Sequence, residues 1–172
     1  GSMVWKRTAE YYNSAEWRGK WATEGGGVLI NQALHTLDLL IWLVGEPKSV
    51  TATLKNASLD GVIEVEDTAC IVAKDGAEFT FFATNASPSN FPVNVIVSTE
   101  DEQIFIYKQK VMIGDKDYDF EDDGRVFGKC CYGVGHEGLF KEFYDAVENG
   151  KEFSINGAEA AKVIRVILAA YK

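Results

Sequence analysis

The hydrophobic period of this chain changes once, near Lys48, and that change limits the possible folds more than any other feature. Over residues 28–44 apolar side chains recur at helical spacing and cover most of the helix circumference. Beyond Lys48 they alternate, as they do in strands. SVTATLKNA, DTACIVAK, AEFTFFATN, PVNVIVSTE and EQIFIYKQK read as strands. Asp75-Gly76 is a two-residue hairpin signal, and STEDEQIF reads as another tight reversal. Two amphipathic helical patterns close the chain, over residues 136–149 and 157–172. The expected fold is therefore α+β: a large, mostly antiparallel open sheet of five or six strands with helices packed on one face.

Several strands are apolar on both sides. Phe79 and Phe81 point one way from their strand and Phe82 the other. The second face needs its own cover, and a second subunit is the expected one, giving a homodimer or homotetramer. At 172 residues, 47% hydrophobic, the chain suits one well-packed domain. Its net charge of −9, without a basic cluster, argues against nucleic acid and against an anionic membrane surface. No apolar run is long enough to span a bilayer. Three cysteines, two of them adjacent, make no disulfide framework and point to a reducing compartment, the cytoplasm. They also supply no metal-ligand spacing, so no metal is expected. Residues 1–3, Gly-Ser-Met, read as a cloning scar outside the fold, leaving 4–172 as a single domain.

The helix over residues 28–44 carries a polar stripe. At about 100° per residue, Asn31, His35, Asp38 and Trp42 share one narrow face. Buried polar groups are costly unless paired, so the stripe has two readings. Either His35 is a core histidine held by Asp38, or the stripe faces a wet cavity. GVGHEG, residues 133–138, matches the dinucleotide fingerprint G-x-G-x-x-G. The residues beyond Gly138 leave no room for a parallel strand and its ribose-binding acid, so a turn at a helix start is the better reading.

YYNSAEWRGKWATEGGGVLINQALHTLDLLIWLVG, and later GHEGLFKEFYDAVENGKEFSINGAEAAKVIRVILAAY, resemble the C-terminal domain of the Gfo/Idh/MocA oxidoreductases, almost end to end. The resemblance implies a dihydrodipicolinate reductase-like fold. It further implies the substrate-binding and oligomerisation half of an NAD(P)-dependent enzyme acting on a CH–OH group of a sugar, polyol or sugar derivative. NAD or NADP would be bound mainly by an N-terminal Rossmann domain absent from this chain, so the chain alone is expected to bind no cofactor and to be inactive. His35 matches the family's histidine, a residue type suited to taking a hydroxyl proton. Asn31 stands where many members have aspartate and would hydrogen-bond substrate. Asp38 would orient the imidazole. Arg18 is either a structural arginine or a fork for a carboxylate, phosphate or hydroxyl pair. Tyr12, Trp17 and His136 would complete the substrate mouth. Gly26 and Gly27 would let the backbone approach the nicotinamide, or merely begin the helix. The alternative is a binding or oligomerisation module that shares the fold without turnover.

Overall fold

The computed structural model describes residues 1–108, 110–119 and 135–172. Among these, eight strands form one open sheet: β1 Ser2–Val4, β2 Pro47–Lys55, β3 Thr68–Gly76, β4 Phe79–Thr84, β5 Asn94–Ser98, β6 Gln103–Tyr107, β7 Lys110–Ile113 and β8 Lys116–Asp119. Their order in space is β2-β3-β4-β1-β5-β6-β7-β8. Only β1 with β4 is parallel. The helices are α1 Ala9–Asn13, α2 Leu34–Val44, α3 Gly135–Glu148 and α4 Gly157–Ala170. The α+β class and the mostly antiparallel sheet are as the sequence implies, with eight strands where the alternation announced five or six.

The reversals come from local chemistry. Asp75 and Gly76 both take positive φ, 60° and 119°, and close β3 onto β4. Thr99 closes β5 onto β6: its hydroxyl accepts from Glu102 N at 3.0 Å, and its own N–H donates to Glu102 O at 2.9 Å. Alternation then sorts the strands. Ala69, Ile71, Phe81, Ala83 and Val95 are buried, and they pack with Leu37, Leu40 and Ile41 of α2 and Val163, Val166 and Ile167 of α4. Cys70, Thr80, Phe82 and Ile96 lie exposed on the opposite face.

Three expectations need correction. The helix does not run from Val28; α2 begins at Leu34, and residues 28–32 form turns. The residues read as a scar are not outside the fold, since Ser2 and Met3 belong to β1 and Met3 is fully buried. The two closing helices do not both cover the sheet. Of α3 only Ala146 is buried, whereas α4 joins the core. Cys130, Cys131 and Gly133 lie outside the described residues, while Gly135 and Gly138 fall within α3.

Candidate functional site

The short α2 changes the stripe. With α2 starting at Leu34, His35, Asp38 and Trp42 still share a helix face, but that face is exposed rather than buried. It forms one wall of a groove between α2 and α4 with a volume of about 610 Å³. Leu34, Leu39 and Ile41 line the α2 side; Ile155, Glu159, Lys162 and Val163 line the other. The sealed core histidine is therefore not what the fold contains. Nor does Asp38 hold His35: no hydrogen bond joins them. Burial pushes the Asp38 carboxyl above its usual range, the His35 charge opposes that rise, and Glu159 adds to it. Glu159 is itself tied down, through its N–H to the Asn156 cap at 3.0 Å and through its carboxylate to Lys162 at 2.6 Å.

Asn31 is half-buried in the turn before α2 and is not among the residues lining the groove. Its amide donates to Glu24, whose other oxygen accepts Gly19 N–H at 2.5 Å. Tyr12 is buried beneath the loop, its hydroxyl accepting from Asn85 Nδ2 at 3.0 Å. Burial pushes the Tyr12 phenol up to about 12. Trp17 is exposed. Arg18 lies 4.3 Å from the Tyr11 ring centre, and its guanidinium donates to Tyr11 O at 3.0 Å and to the Ser14 hydroxyl. His136 sits exposed in the first turn of α3 and is not part of the groove wall. The structure thus places His35 with Asp38 and Trp42. It places Tyr12, Arg18 and Asn31 in or near the loop that leads into α2.

Gly26 and Gly27 have a packing reason that the sequence did not disclose. A Cβ on Gly27 would lie 1.9 Å from Glu66 O, and one on Gly26 would lie 2.2 Å from the Tyr171 hydroxyl. Glu66 is buried and captures three successive amides. Its carboxylate accepts Gly27 N–H at 3.0 Å and Leu29 N–H at 3.1 Å, and its main-chain oxygen accepts Val28 N–H at 2.9 Å. The Tyr171 hydroxyl donates to the same carboxylate at 2.9 Å. Asp67 repeats the device on the other side, accepting Ala57, Ser58 and Leu59 N–H groups at 2.7, 2.8 and 3.0 Å. Burial outweighs these bonds at Glu66, whose carboxyl is held above its usual range. Gln32 and Asn85 complete a buried network: Asn85 Nδ2 donates to Gln32 Oε1 at 2.8 Å, and Gln32 Nε2 donates to the Tyr11 hydroxyl at 3.2 Å. Sequence reading missed Glu66, Asp67, Gln32 and Asn85. The one available signal was an acidic pair, Glu66-Asp67, at the head of an apolar strand. Among the described residues no cluster of metal-ligating side chains occurs, and no helix is long and apolar enough to cross a membrane.

Comparison with known proteins agrees with this architecture. The WlbA dehydrogenase from Bordetella pertussis, solved with NADH and UDP-GlcNAcA, superposes with a TM-score of 0.72 at 27% identity, over 99% of this chain and 50% of its own. WlbA from Chromobacterium violaceum, with the same two ligands, gives 0.71 at 25% identity, covering 99% and 50%. Levoglucosan dehydrogenase with NADH and levoglucosan gives 0.76 at 18% identity, over 99% and 54%, a likeness of fold alone. The chain spans about half the length of these structures. No curated protein matches it in sequence. A model of the GFO/IDH/MocA C-terminal domain matches residues 1–106, more than half of the chain, and the chain belongs to that family.

Proposed function

We propose that this chain is the substrate-facing, self-associating half of an NAD(P)-dependent oxidoreductase that acts on a CH–OH group of a sugar or sugar derivative. The observation that carries the reading is His35. It is exposed on a wall of a 610 Å³ groove with Asp38 and Trp42, at the position where the family carries a histidine. The WlbA structures, which hold NADH and a sugar nucleotide, support the substrate class.

NAD(P) would accept the hydride from the carbinol carbon. Gly26 and Gly27, the residues expected near it, also pack closely against Tyr171 and Glu66. The cofactor is assigned mainly to a nucleotide-binding domain outside this chain, a reading supported by the NADH held in the WlbA structures, of which this chain covers half. The residues here take the remaining task. As the carbinol becomes a carbonyl its hydroxyl proton must leave, and the His35 imidazole accepts it. Asp38, whose carboxyl feels the His35 charge, stabilises the imidazolium that results. Asn31 cannot take a proton, and its amide already holds Glu24, so its part is to fix the loop.

In the full-length enzyme, His35→Ala is expected to lower turnover by roughly 10²- to 10⁴-fold, the range for losing a general base. Because His35 is exposed, stability should change by no more than about 0.5 kcal/mol. Turnover and thermal melting measured on the same preparations decide the matter. A variant that melts early yet turns over normally would make His35 a structural residue and remove the reading.

A further inference from the structure

An unbroken run of cation–aromatic contacts links the segment after β1, α1 and the loop that follows it. The Arg7 guanidinium lies 5.1 Å from the Trp5 ring centre and 5.1 Å from that of Tyr11. Arg18 lies 4.3 Å from the same Tyr11 ring and 5.2 Å from that of Trp17. Two positive charges thus share one phenol ring, and both are only partly open to solvent.

Neither guanidinium meets a carboxylate among the described residues, in a chain whose acids outnumber its bases 26 to 17. Arg165 shows what an arginine with a partner looks like here: it grips Glu46 with two bonds, of 2.6 and 2.8 Å. Arg7 instead donates once, to Lys6 O at 2.8 Å, and Arg18 spends one nitrogen on Tyr11 O and Ser14. The Nε atoms of both are buried without a hydrogen-bond partner. Glu24, an acid of the same loop, has its oxygens committed to Gly19 and Asn31. Holding like charges near one ring without a counter-ion costs free energy, and an arriving anion would recover it through forked, charge-assisted bonds. The position suits a substrate. The Tyr11 hydroxyl bonds Gln32, and Gln32 lies in the turn that leads to His35.

We propose that Arg7 and Arg18, joined through Tyr11, form a subsite for the oxyanion of a negatively charged sugar substrate. The inference rests on the oxidoreductase reading above and narrows it: a charged sugar is the preferred substrate over neutral sugars and polyols. The anion is either a phosphate, as in a nucleoside-diphosphate sugar, or a sugar carboxylate.

The test compares the full-length oxidoreductase with its Arg7→Lys and Arg18→Lys variants, which keep the charge and lose the fork. Substrates are a uridine-diphosphate sugar, a hexuronate and a neutral hexose. For the charged substrate, KM is expected to rise about tenfold in each variant with kcat within about twofold, while the neutral hexose shows no such rise. Whichever anion responds identifies the source as phosphate or carboxylate. An unchanged KM in both variants, or an equal rise for the neutral sugar, overturns the subsite. If a lysine variant does not fold, phenylglyoxal labelling of the unaltered protein replaces it. The charged sugar should protect Arg7 and Arg18, and labelling that ignores the sugar overturns the proposal. Calorimetry of this chain with uridine diphosphate and with glucuronate separates the two claims. Anion binding that Arg18→Gln abolishes, where the full-length protein oxidises none of these sugars with NAD or NADP, keeps the subsite and ends the oxidoreductase reading. Turnover indifferent to both arginines does the reverse.

Discussion

At the scale of single residues, Glu66 governs the approach to α2 more than any residue within that approach. It closes the amides of Gly27, Val28 and Leu29, so those residues do not begin a helix even though their apolar pattern continues one. Its burial also makes a pH signature. The folded protein holds the Glu66 proton more tightly than the unfolded chain does, because the raised carboxyl disfavours charge. Stability from this group is therefore complete below the ordinary carboxylate value of 4.5. It is lost as pH rises from there through the raised value, and stays flat beyond. Relative to Glu66→Gln, the unaltered chain should lose melting temperature across that window. A difference that grows in the opposite direction would mean that the bonds from Gly27, Leu29 and Tyr171 outweigh burial. None of this was legible in the sequence, because Glu66 and the amides it holds lie almost 40 positions apart. His35 and Asp38 were legible because both sit on one helix face, where spacing alone decides.

At the scale of elements, what could be read were features whose cause is local. Alternation gave β2 to β6, and Asp75-Gly76 gave the β3–β4 turn. The closing helices matched their amphipathic patterns within two residues at either end. β1 was set aside because Gly-Ser-Met reads as a cloning scar, and a three-residue strand has no periodicity to argue otherwise. β7 is only four residues, KVMI, and β8 at the sheet edge was hidden by Lys116 and Asp117, charges that on an edge strand oppose pairing with another chain. α4 begins at a cap that touches the groove: Asn156 Oδ1 accepts Glu159 N–H, and Glu159 lines the wall facing Asp38. Asn156→Ala should cost about 1 kcal/mol of stability, the usual worth of such a cap. It should also loosen Glu159, relieving the upward push on Asp38, which a carboxyl carbon titration by NMR would register as a lower Asp38 midpoint. An unmoved midpoint would mean that Glu159 keeps its place through Lys162 alone.

At the scale of the molecule, the described residues give the sheet one face covered by helices and one open face. α2 and α4 cover the first. On the second, Phe82, Ile96, Tyr107 and Met112 are between 37% and 49% exposed. Cross-strand register sets Phe82 beside Cys70, and Phe105 between Ile96 and Met112, so the patch crosses both halves of the sheet. An apolar surface of that extent suits a second copy of the chain. Light scattering should find a dimer or larger assembly, and Phe82→Lys with Ile96→Lys should shift it toward monomer while melting remains cooperative. A protein that is monomeric before substitution, at high concentration, would assign that face elsewhere.

Three residues also decide how this sheet can be assembled in time. β2 to β4 and β5 to β8 are two meanders, each built from neighbours in sequence, and β1 is the strand between them. Ser2 must find Phe82 and Asn94 before the two become one sheet. Each meander can form early through short loops, whereas the seam waits on closing a loop of about 80 residues, the kind of long-range closure that slows folding. Amides that pair across β1 should accordingly gain protection from hydrogen exchange last during refolding, after those inside either meander.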